Sequence, residues 1–311
     1  MSAITEPLLT GPFGVPEMEE EFQLERHGVW KRFRRHRLAL LGAAVIIIIG
    51  AVAVLAPLLH LQDPNAIDNV NWNGPPLAPG LFGHVLGTDE VGRDLLARLI
   101  YGAQVSLKVA IFAVLMELTI GTILGSFAGY YGGWIDNILM RVTDVFLSIP
   151  LLPLLLVLTA IVAATSNKAA LSEWVIVIII GGLSWPSVAR LVRGSFLSLR
   201  EKEFCEAARA IGNRDGRIIF RHLLPNAVAP IIVQGTLEVA NVILLESTLS
   251  FLGFGIQPPT ASWGNMLANA ESNMQIAPWV AVFPGLCILV TVLAVNYLGD
   301  GLRDALDPKM K

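Results

Sequence analysis

The chain has 311 residues, 15% charged and 54% apolar, where a soluble domain carries roughly 25% charged residues. With a mean hydropathy of +0.63 and apolar residues gathered into blocks of about twenty, this composition argues against a cytosolic globular enzyme. The net charge of −3 matters less than where the charges fall. Cys205 and Cys287 are too few for a disulfide framework or a four-ligand zinc site and read as reduced thiols. No Gly-Lys pair exists for a Walker A loop, so the chain is not a P-loop ATPase by itself, and HExxH is absent.

Residues 1–37 read as a tail with an acidic stretch, Glu17 to Glu25, ahead of a basic cluster. Leu38 to Leu59 is uncharged and long enough to cross a hydrocarbon core of ~30 Å. It starts too far from the N-terminus for a cleaved signal peptide. The loop 60–104 is rich in Pro, Gly and Asn and ends in an expected interfacial helix, with Thr88 or Asp89 as N-cap and Leu95, Leu96, Leu99 and Ile100 as its apolar face. Asp89 and Arg93 are expected to cap and pair on that helix rather than to touch solute.

Residues 105–299 form the core, with five further spans. The second, about Val105 to Tyr130, contains Lys108 and Glu117; the third, Val145 to Ala164, is uncharged. The fourth starts at Trp174 and continues past Arg190 and Arg193, whose stems can snorkel, with a bend expected at Gly181-Gly182 and Pro186. The fifth, Asn226 to about Ser250, is the most polar; the sixth, Ala277 to Leu298, is uncharged. Residues 300–311 are a second tail. The expected fold is an all-α polytopic membrane protein of six transmembrane helices. Placing both termini in the cytoplasm puts 18 of the 22 basic residues inside and leaves Arg93, Arg98, Lys108 and Lys168 outside, as the positive-inside rule demands.

The loop 198–225 carries the strongest pattern. Phe204, Ala207, Ala208 and Ile211 fall at i, i+3, i+4 and i+7 among Arg200, Lys202, Glu203, Glu206 and Arg209. Gly212 ends this helix as a C′ residue. Asp215 then caps a second short helix, Arg217 to Leu224, which closes at Pro225. A helix-turn-helix with two small residues on an apolar face is expected to be a docking surface.

The run Glu206-Ala207-Ala208, Gly212, and Leu224-Pro225 is spaced so that it resembles the EAA loop of ATP-binding-cassette importer permeases. His222 stands where the general pattern has Ile, which fits the peptide-importer branch. Thr88-Asp89, Gly92-Arg93-Asp94, Tyr101-Gly102 and Ser250-Phe251-Leu252-Gly253-Phe254-Gly255 resemble the dipeptide, oligopeptide and nickel permeases of the C type. The likeness covers about Trp30 to Pro308. It implies a type I importer permease fold in a prokaryotic inner membrane and a second homologous permease. It also implies two ATPase subunits carrying ATP and Mg, and an extracytoplasmic binding protein. The chain itself would bind no cofactor, metal or nucleic acid and catalyse nothing. Glu206, Ala207, Ala208, Gly212, His222, Leu224 and Pro225 would form the coupling element. By the same likeness the solute is a di- or oligopeptide, with nickel or another small solute as the alternative.

Gln234, Glu238 and Asn241 lie at i, i+4 and i+7 in the fifth span, with Thr248 at nearly the same angle. An ionisable residue in hydrocarbon costs ~2.5–3.5 kcal/mol, so Glu238, and likewise Glu117 and Glu246, should avoid lipid. The stripe reads equally as a translocation path and as polar glue between helices. An intramembrane enzyme is disfavoured because no His falls within a span, and a secondary transporter because no inverted repeat is evident.

Overall fold

The computed structural model describes residues 30–165, 172–268 and 270–306; the acidic stretch Glu17 to Glu25, Lys168 and the end of the C-terminal tail lie outside them. The described residues fold as helices, with two isolated β-bridges, Ile67 to Arg93 and Thr88 to Asp94, as their strand-like pairings. In chain order these are α1 (Arg37–Leu55), α2 (Leu95–Tyr131), α3 (Gly133–Ser148), α4 (Leu151–Thr165), α5 (Glu173–Leu199) and α6 (Glu203–Ala210). Then follow α7 (Asp215–Phe251), α8 (Trp263–Ala268) and α9 (Trp279–Leu306). Five of them, α1, α2, α5, α7 and α9, are long and apolar enough to cross a bilayer, and α3 with α4 make a sixth if the bent pair counts as one span.

Three expectations need correction. The second span is not preceded by a separate interfacial helix: α2 runs unbroken for 37 residues, roughly 55 Å at 1.5 Å per residue. Its N-cap is Asp94, which accepts from Ala97 N at 2.7 Å, and neither Thr88 nor Asp89. The third span is not one helix. Pro150 lacks an N–H and pushes Ile149 into extended backbone (φ −90°, ψ 126°), and the two halves meet at 84°. The fourth span is α5, a helix that contains Pro186, and Gly181 packs closely on α2, since a Cβ there would stand 2.7 Å from the Ala113 carbonyl oxygen.

The core is the crossing of α2 on α5. Gly121, Gly125 and Gly129 recur every fourth residue along one face of α2, and each lies against the α5 backbone. A Cβ on Gly125 would come within 2.5 Å of the Ala189 carbonyl oxygen, and one on Gly129 within 2.5 Å of Phe196 Cβ. Without a hydrophobic force between helices in lipid, such close approach is what dispersion needs. α7 packs on the other side of α2, where Gly235 receives Leu118. α9 and α1 close the outside, with Gly42 against Ala294 and Ala39 against Gly301.

Between α2, α7 and α8 runs a buried polar set. Glu246 accepts from Ser106 Oγ at 3.1 Å and Ser250 Oγ at 2.7 Å, while Trp263 donates through Nε1 to the Leu99 carbonyl at 3.0 Å. Glu246 thus avoids lipid by facing donors inside its own chain. α3 is bound to α5 by two ion pairs, Arg193 with Asp136 (2.5 and 2.6 Å) and Arg190 with Asp144 (2.5 Å). These arginines point to carboxylates on α3.

Gly125→Leu is expected to wedge α2 from α5 and destabilise the folded chain by about 1–3 kcal/mol, seen as a lower unfolding midpoint in detergent. Gly133→Ala, where a side chain meets open space but φ is +55°, should cost less.

Candidate functional site

α6 lies beside the end of α2 opposite to the 60–94 loop. Arg200, the C-cap of α5, turns the chain there and donates through Nη1 to the Gly129 carbonyl at 3.2 Å. The helix ends in a Schellman motif: Gly212 N donates to Arg209 O at 2.9 Å and Asn213 N to Ala208 O at 3.2 Å. Gly212 has φ +80°, the left-handed backbone that the turn requires and that a Cβ would strain.

The expected single apolar face divides in two. Ala208 and Cys205 are buried against Ile218, Ile219 and Leu223, whereas Ala207, Glu206, Phe204 and Ile211 face outward, Ile211 being 80% exposed. The returning chain covers one side of α6, so the outward patch alone is available to a partner. That return also departs from expectation. Asp215 is not a cap; Arg214 holds that position, and Asp215 accepts from Tyr130 Oη at 2.8 Å. Nor does a helix close at Pro225. The backbone widens to a π-helical turn over Ile218–Leu223 and continues into the membrane part of α7, because Pro225 brings no N–H for the carbonyl four residues back. Asn226 Nδ2 supplies a donor to the His222 carbonyl at 2.6 Å. Leu224 packs on the Ala208 cluster, His222 is half-buried and Pro225 exposed. The Arg209 guanidinium sits 5.6 Å from the Tyr130 ring centroid, a second tie between α6 and α2.

Midway along α7 a cavity of about 560 Å³ opens between the α3–α4 break, α5 and α7. Glu238, Asn241 and Thr248 line it, facing Ile149 and Pro150 of the break and Ser184 and Ser187 of α5. Gln234 is not in the wall; it donates to Glu238 Oε1 at 2.6 Å, and Asn241 donates to Oε2 at 3.0 Å. Thr248 Oγ1 donates to the Leu244 carbonyl of its own helix at 2.7 Å. These bonds stay within α7. Glu117 also lies outside the wall, fully buried in α2 with no hydrogen-bond partner on either carboxylate oxygen. It lies near Glu238 of α7.

At the far end of α2, Thr88, Asp89, Gly92, Arg93 and Asp94 build the fold of the loop. Thr88 Oγ1 accepts from Leu77 N at 2.8 Å. Asp89 accepts from Val91 N and Arg93 N at 3.0 and 2.9 Å, pairs with Arg93 Nε at 2.7 Å and lies 3.2 Å from Arg98 Nε. The Asp89–Arg93 pair therefore exists, but in the loop and not on a helix. Gly92, at φ +83°, seats the Trp72 ring, which a Cβ would meet at 2.7 Å. His84, unassigned by the sequence, joins the set: its ring nitrogens reach Asp94 at 2.8 Å and Asp68 at 3.3 Å, and it is 2% exposed. A lone His in a Pro/Gly-rich loop gives no spacing from which this could be read. Burial works against charge on His84, but the Asp94 and Asp68 carboxylates outweigh it and hold its pKa above the ordinary 6.5. Asp68 is lowered to about 2, chiefly by the Asn71 side chain.

Residues 121–311 match the binding-protein-dependent transport system inner membrane component family, and residues 26–76 match the N-terminal transmembrane domain of oligopeptide transport permease C. The chain belongs to this permease family. It is 41% identical over 307 residues to a dipeptide transport system permease protein, DppC, of Alkalihalophilus pseudofirmus, covering 98% of this chain and 97% of that one. It is 44% identical over 288 residues to a glutathione transport system permease protein, GsiD, of Escherichia coli, covering 92% and 91%. The inward-facing MetNI methionine transporter shares the fold, with a TM-score of 0.53, 18% identity, and 68% of this chain and 98% of that chain covered. This permease is thus a multi-pass inner-membrane protein of an ATP-binding-cassette importer, a family that works with ATPase and binding-protein partners.

Because its pKa is raised on folding, His84 stabilises the loop fully below its unfolded value of about 6.5 and loses that contribution as pH rises through the folded value. Unfolding midpoints measured from pH 6 to 9 should fall for the permease and fall less steeply for His84→Gln, which starts lower by about 1–2 kcal/mol.

Proposed function

We propose that this chain is a non-catalytic permease subunit of a peptide importer. It pairs with a second homologous permease, rests on two ATPase subunits that bind ATP and Mg, and receives di- or oligopeptides from an extracytoplasmic binding protein. The observation that carries the reading is similarity over nearly the whole chain to relatives named for dipeptide and glutathione transport; glutathione is itself a tripeptide. Both termini and α6 face the cytoplasm in this reading, which the distribution of basic residues supports.

α6 is the coupling helix. Its outward patch is small at Ala207 and charged at Glu206, so a cleft in the ATPase can approach the backbone closely and offer a basic group. Displacement of α6 would reach α2 through Tyr130, which is tied to both Asp215 and Arg209. The cavity at Glu238, Asn241 and Thr248 is this subunit's share of the translocation path, and Gln234 and Glu117 support it from behind.

Deleting the gene is expected to abolish uptake of labelled dialanine, with recovery on complementation; unchanged uptake in an otherwise peptide-transport-deficient strain would refute the reading. The division of the two alanines gives a sharper test. Ala207→Leu should cut uptake by about tenfold or more while the chain keeps its stability. Ala208→Leu should lower stability first, because its side chain is already enclosed.

A further inference from the structure

The charges around the cavity do not balance. Among its described lining residues Glu238 is the one ionisable side chain. Its two oxygens accept from the neutral amides of Gln234 and Asn241, which orient the carboxylate without neutralising it. The arginines of the adjoining α5 are engaged elsewhere, Arg190 by Asp144 and Arg193 by Asp136. Behind Glu238 stands Glu117, wholly buried and with neither oxygen hydrogen-bonded. Across the cavity, the Ser184 hydroxyl oxygen is also enclosed and without a hydrogen-bond partner. A carboxylate with no counter-charge is costly away from bulk water, and a path that keeps Glu238 in its wall gains when a cation enters.

We infer that Glu238, backed by Glu117, is a cation subsite that takes an ammonium group of the solute in transit, so that the path favours peptides of positive net charge. The inference rests on the reading of this cavity as the path of a peptide importer and goes beyond it by assigning the charge class of the solute and the residue that selects it. The binding protein has its own preferences, but they are common to every permease variant and cancel when variant is compared with wild type.

The experiment uses cells carrying the complete importer and measures uptake of labelled alanyl-lysine, alanyl-alanine and alanyl-glutamate. Glu238→Gln is expected to lower the alanyl-lysine to alanyl-glutamate ratio by about tenfold, the usual worth of a hydrogen bond to a charged group, with Glu238→Asp within about twofold of wild type. Asn241→Asp, which adds a carboxylate to the same wall, should raise the ratio, and it decides the matter alone if Glu238→Gln fails to assemble. A ratio moved by neither variant, in complexes present at the wild-type level, overturns the subsite and leaves peptide import standing. Failure of the wild-type system to take up any of the three peptides overturns peptide import, and the subsite with it.

Discussion

Everything in this permease is positioned by the contact of α2 with α5. Three glycines at four-residue spacing let α2 lie on α5 backbone to backbone, and in lipid this proximity is itself the attraction, since apolar side chains gain nothing by leaving acyl chains for one another. Because α2 is a single rod of 37 residues, the contact fixes three levels at once. Asp94 and its loop stand at one end, Glu117 near the middle, and Tyr130 at the other end, where α6 is moored. A helix interrupted anywhere along that length would let those levels shift independently.

The membrane-embedded polar groups fall into two kinds. Asp136, Asp144, Arg190, Arg193 and Glu246 are matched within the chain by ion pairs or serine hydroxyls. They hold helices in place, and burial without a match would be penalised heavily. Glu238 accepts from two amides of its own helix, and Glu117 has no hydrogen-bond partner.

Much of this was legible in the sequence. Uncharged blocks located the spans because hydropathy alone decides what a bilayer accepts, and Gly212 marked the end of α6 because a Schellman turn needs a residue tolerant of positive φ. The break at Ile149–Pro150 was hidden: the third block is uniformly apolar, so composition looked continuous although Pro150 forbids the preceding residue its helical backbone. The start of α2 was misplaced for another reason: Thr88 and Asp89 offered caps ahead of the apolar face Leu95 to Ile100, which read as a helix of its own, while nothing after Asp94 interrupts helical hydrogen bonding. The division of Ala207 from Ala208 depends on how the chain returns through Asp215 to Leu223, a tertiary fact with no local signal. The glycine repeat was present in plain spacing, yet its meaning depends on which helix comes to meet it. His84 needed two partners separated from it by sixteen and ten residues.

The corner at Ile149–Pro150 carries a consequence for the bilayer itself. Extended backbone inside a bilayer is admissible only if protein covers it or water reaches it, and here it opens onto the cavity shared with α5 and α7. A solitary copy of the chain would therefore hold a hydrated notch against acyl tails. Lateral association then has a thermodynamic motive that owes nothing to recognition between particular side chains: another protein surface must keep the lipid dry and the barrier to ions intact.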